Sequence, residues 1–105
     1  MSYGFIYVLS NPSMPGIYKI GFTMKHPKER MRQLSQATAC PSPFEMLAFF
    51  DSDCPQHAEQ NIHASLHKYR LNNAREFFCA PLSEIQNQCR CWGDPIEGIF
   101  ELNTL

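Results

Sequence analysis

Two short segments near the start, GFIYVLS at 4–10 and GIYKIGFT at 16–23, flank the sequence NPSMP. Each carries the β-branched and aromatic alternation of a strand, and the Asn, Ser, Gly and two Pro residues at the junction can continue neither. The simplest fold for this stretch is a β-hairpin. Pairing Leu9 with Ile17 sets Tyr7 opposite Lys19 and Phe5 opposite Gly21, so Tyr7 and Lys19 project from one face.

Downstream, His26-Pro27 opens a helix to about Thr38, with proline suited to the first helical position and Met31, Leu34 and Thr38 as its inward stripe. FEMLAFFD at 44–51 reads as a third strand, apolar enough to lie centrally. Pro55 starts a second helix whose Ala58, Ile62, Leu66 and Tyr69 recur at helical spacing. LNNAR at 71–75 is a loop, and EFF at 76–78 buries two phenylalanines beside an acid. Ser83 caps a last helix to about Trp92, and GDP turns the chain toward an IFEL segment. The fold class is α+β, a small three-stranded, mainly antiparallel sheet flanked by helices. One domain is expected over 1–105, with a core at about 4–86 and an extension at 87–105.

A chain of 105 residues can bury a little over ~60% of its unfolded surface in one core. The odd cysteine count of five and the lack of a positive region before the first apolar stretch point to free thiols in the cytoplasm rather than a secreted disulfide framework. No apolar run approaches the ~20 residues that span a bilayer. A net charge of −1 argues against coating nucleic acid electrostatically. Its distribution is uneven: residues 1–44 hold Lys19, Lys25, Lys28, Arg30 and Arg32 against Glu29 alone. Such a face suits short phosphate contacts.

FIY followed by KIG, with Arg30 nine residues after Gly21 and Glu76 in an REFF segment, resembles the signature of the GIY-YIG nuclease superfamily. The match is to the phage-type branch, whose second motif reads KIG. The resemblance runs over about residues 4–86 and implies a metal-dependent endonuclease that hydrolyses DNA phosphodiesters with low intrinsic sequence specificity. Tyr7, Lys19, Arg30 and Glu76 are then the catalytic set. Glu76 would hold a single Mg²⁺ or Mn²⁺, since such ions prefer hard oxygen ligands, and Arg30 would meet the phosphate through its planar donor fork. Tyr7 is the candidate base or water-orienting group. A free phenol has a pKa near ~10, so Tyr7 would need a nearby cation or metal to depress it; Lys19 across the hairpin is open to that role, to activating water or to binding phosphate.

Arg30 is preferred to Arg32 by its spacing from Gly21, which leaves Lys25, Lys28 and Arg32 as candidate DNA-phosphate contacts that position without reading sequence. Glu59, His63 and His67 form one stripe on the second helix. A Glu and a His four residues apart resemble a recurring feature of the KIG branch, so Glu59 and His63 are expected to support the site, with His67 in solvent. Zinc is not expected, because Cys54-x-x-His57 and Cys89-x-Cys91 lack the usual two-cysteine spacing. Without an appended DNA-binding domain, target choice would require a homodimer or an accessory DNA-binding partner. The rival to the nuclease is a catalytically inactive member of the fold that binds nucleic acid or protein.

Overall fold

The computed structural model describes residues 3–36, 42–71 and 76–93. Strands β1 (Gly4–Ser10) and β2 (Tyr18–Thr23) form the expected antiparallel hairpin, with β3 (Glu45–Ser52) on the other side of β1 and β4 (Phe77–Phe78) on the other side of β2. The sheet order is β3-β1-β2-β4, and every pairing is antiparallel. The α+β class holds, and EFF supplies a fourth strand beyond the three expected. β3 lies at an edge, not the centre; it is apolar because both of its faces are covered.

The hairpin register is two residues away from the expected one: Tyr7 faces Gly21, Leu9 faces Lys19 and Phe5 faces Thr23. The connection takes up the difference. Asn11 is buried and its Oδ1 accepts the Ser13 N–H at 2.9 Å, Met14 N–H donates to Asn11 O, and Ile17 N–H donates to Met14 O. Ile17 therefore belongs to the turn, where Gly16 adopts φ +78°. A shift of two keeps side-chain parity, so Tyr7 and Lys19 remain on one face.

Helix α1 (Pro27–Ser35) covers that face, with Met31 and Leu34 packed against Tyr7, Leu9, Phe44 and Phe49. His26 caps it by accepting the Lys28 N–H at 3.2 Å, and Ser35 Oγ ties its end to β3 by accepting Phe44 N–H at 2.9 Å. Thr38 lies outside the described residues. On the opposite face, Ile6, Val8, Ile20 and Phe78 meet Ala58 and Ile62 of α2 (Pro55–Ser65), Leu66 at its C-terminal cap, and Ile85 and Cys89 of α3 (Leu82–Arg90). A bulge in β3 opposite Val8 and Leu9 sends both Leu47 and Ala48 to this side. The continuous apolar run that suggested a central strand thus serves two cores.

A 3₁₀ turn at His67–Tyr69 follows α2, and the Arg70–Phe78 bridge then closes the outer side of β4. α3 begins two residues earlier than expected, because Pro81 occupies the cap position and Ser83 falls inside the first turn. The expected IFEL segment lies outside the described residues.

Candidate active site

β4 is only two residues long, and the site is built where it stops. Tyr18 and Lys19 pair with Phe78 and Phe77, and Ile20 N–H donates to Glu76 O at 3.1 Å. Past that point the main-chain groups of β2 are taken up by side chains of α2. Ile20 O accepts from His63 Nε2 at 2.8 Å, and the Phe22 N–H bonds the Glu59 carboxyl. Glu59 and His63 are both buried, one helical turn apart, so the spacing that aligned them in sequence lays them along the open strand edge.

Around this edge the four residues singled out by sequence converge. Lys19 lies over the Phe77 ring and places Nζ 2.9 Å from Glu76 Oε1. Tyr7 crosses above Gly21: a Cβ at position 21 would fall 2.5 Å from the Tyr7 hydroxyl, 2.7 Å from its Cζ and 3.2 Å from Glu76 Oε1. Glycine is required here by proximity, since any side chain would fill the space the phenol occupies. Arg30, projecting from α1, is the guanidinium that hydrogen-bonds the Tyr7 oxygen. The expectation that Lys19 activates Tyr7 is corrected: the register sets Lys19 opposite Leu9, and its ammonium is committed to Glu76.

The electrostatics follow from this layout. Burial pushes the Tyr7 phenol above its ordinary pKa, Glu76 adds to that, and Arg30 only partly opposes them. Tyr7 is thus held protonated, the reverse of the expected depression. Burial and the neighbouring Glu76 carboxylate push Glu59 up to about 8. Burial works hardest on Glu76 and would raise it, but the Lys19 ammonium, by charge and hydrogen bond, together with a hydrogen bond from Glu59 and the nearby His63, holds the carboxyl below the ordinary glutamate value. One proton therefore sits on Glu59 beside an ionised Glu76.

Burial lowers the pKa of His63. A carbonyl can only accept, so Nε2 carries the proton and Nδ1 presents a bare lone pair. That nitrogen lies 3.9 Å from Glu59 Oε1, too long for a hydrogen bond. Glu59 Oε2 is buried without a hydrogen-bond partner among the described residues. One ligand atom each from Glu59, His63 and Glu76 lie within 4.8 Å of one another. Two carboxylates and an imidazole make a donor set that fits a divalent cation.

From the sequence, Glu76 alone is expected to hold the metal, with Glu59 and His63 in support. The structure brings all three together, while His67 is exposed as expected. No separate signal marked Glu76 as the third member, because only the β4 pairing carries it to α2. Lys25, Lys28 and Arg32 are exposed on the β2–α1 turn and α1. Cys89 is buried, which pushes its thiol up to about 12. Among the described residues no helix is long and apolar enough to cross a membrane.

A family model, the T5orf172 domain, matches residues 4–93. Searches of curated proteins and of solved structures return no match. The family match starts with β1 and runs past α3, so it includes every strand and helix that builds this site, and the chain belongs to the T5orf172 domain family.

Proposed function

We propose that this domain is a GIY-YIG-type, divalent-metal-dependent endonuclease that hydrolyses DNA phosphodiesters with low sequence specificity. The observation that carries the reading is the convergence of Tyr7, Lys19, Arg30 and Glu76 around Gly21, four residues drawn from β1, β2, α1 and the start of β4. Membership in the T5orf172 family supports a DNA-binding or nuclease-related role.

Hydrolysis requires water to attack phosphorus, the P–O ester bond to break, and the departing alkoxide to gain a proton. Arg30 supplies planar donors for the non-bridging oxygens, whose negative charge grows toward the transition state. Tyr7 is 2% exposed with Arg30 at its oxygen, so phosphate entry requires the guanidinium to turn outward from the phenol onto the substrate. The freed hydroxyl then orients the attacking water, whose proton passes to solvent, and the departing alkoxide takes its proton from solvent. Lys19 fixes the Glu76 carboxylate and adds positive charge at the floor of the site. Glu76 would hold a divalent cation, which would supply Lewis-acid stabilisation of the phosphate and would offset the part that Glu76 adds to burial in holding Tyr7 protonated.

Nicking of supercoiled plasmid by the purified chain and Glu76→Ala, in Mn²⁺ and in chelator, tests the reading. Metal-dependent nicks lost in the variant are expected. Activity retained by Glu76→Ala, or none in the unaltered chain, would overturn it, and DNA binding undiminished by chelator would then identify the inactive binding module.

A further inference from the structure

We propose that Glu59, His63 and Glu76 form one three-residue site for a first-row transition cation, taken in preference to Mg²⁺, with His63 Nδ1 bonded directly to the ion. The proposal rests on the nuclease reading for the purpose of the ion, but its occupancy is measurable on a protein that cuts nothing.

Three independent features support it. His63 donates Nε2–H to Ile20 O at 2.8 Å and lies 4.9 Å from the Phe78 ring. An imidazole anchored to a main-chain carbonyl through one nitrogen, with the other left bare, is the arrangement that outer-shell bonds give to metal-ligating histidines. Glu59, its side chain 10% exposed, meets the Glu76 carboxyl and leaves Oε2 without a donor among the described residues, and a cation between the two carboxyls would serve both. Glu76 contributes a carboxylate with Oε1 engaged by Lys19, and it carries a second oxygen.

The spacing is close to what coordination needs. Bonds of about 2.1 Å put two ligand atoms about 3 to 4.3 Å apart on one ion, so a group spread over 4.8 Å closes by about half an ångström on binding. The nitrogen decides the class of ion. Mg²⁺ keeps to oxygen ligands and strict octahedral geometry, whereas first-row transition cations accept imidazole and carboxylate together.

Mn²⁺ serves as the probe, since its electron paramagnetic resonance signal reports both binding and ligand nuclei. The metal-stripped full chain is titrated with Mn²⁺, and pulsed spectra are recorded with natural and ¹⁵N-histidine. We expect one bound ion, an imidazole-nitrogen coupling that changes with the isotope, and Mg²⁺ at least about tenfold weaker in competition. His63→Gln and Glu59→Gln, checked for folding by circular dichroism, should each lose at least about tenfold in affinity. The isotope experiment needs no variant, so a folding failure leaves the proposal open to refutation.

Absence of bound Mn²⁺, bound Mn²⁺ with oxygen-only coordination, or equal competition by Mg²⁺ would overturn it. Nitrogen-coupled Mn²⁺ on a protein that nicks no plasmid supports the site and sinks the nuclease reading. Metal-dependent nicking with oxygen-only coordination does the reverse.

Discussion

Glu59 shows how one buried acid makes stability depend on pH. Its folded pKa of about 8 stands above its ordinary 4.5, so between these values the folded chain binds more protons than the unfolded one. The contribution is complete below about pH 4.5 and is lost as pH rises through about 8. In chelator, the melting temperature should therefore fall from pH 5 to pH 8.5, and Glu59→Gln, which keeps the neutral shape, should flatten that slope. A profile equally steep in the variant would contradict the assignment. Gly21 makes the steric counterpart. Gly21→Ala sets a methyl 2.5 Å from the Tyr7 hydroxyl, and overpacking of this kind costs about 1–3 kcal/mol, read as a lower urea midpoint together with loss of nicking. Both residues stood in motifs visible in the sequence. The direction of the Tyr7 shift did not, because it depends on burial and on Glu76, which only the folded chain brings near.

At the scale of elements, the smallest one carries the most consequence. β4 contributes two residues, yet Phe78 is fully buried beneath α2 and beside His63. Phe78→Ala should cost about 3–5 kcal/mol and weaken Mn²⁺ binding at the same time, measured by denaturant unfolding and by titration at a temperature where the variant stays folded. Normal binding by a destabilised variant would separate packing from site geometry. Apart from β4, strand and helix existence was legible from periodicity and from Pro27 and Pro55 at the helix starts. The hairpin register was not, since the Asn11 turn and Ile17 lengthen the connection in a way strand alternation does not encode. The edge position of β3 was hidden for a related reason: the bulge at Leu47 produces an apolar run indistinguishable from that of a central strand.

For the molecule as a whole, the cations exposed at Lys25, Lys28 and Arg32 stand on an otherwise acidic chain of net charge −1. If the domain cuts DNA as proposed, reversing all three to Glu should weaken DNA binding alike for all sequences and flatten its salt dependence by about one unit of slope per lost contact. Fluorescence anisotropy against salt checks this, and unchanged Mn²⁺ binding separates the surface from the site. The arrangement at β2 has a further consequence. His63 and Glu59 occupy hydrogen-bonding groups of β2 that a neighbouring strand would otherwise claim, so the pair covers an edge of the kind through which copies associate. Alanine at both positions would bare a length of strand able to recruit another chain, and light scattering at rising concentration should show such a protein self-associating. Selection on this pair would then act through the sheet edge whether or not a reaction takes place beside it, and two residues persisting there would be evidence of an edge to protect.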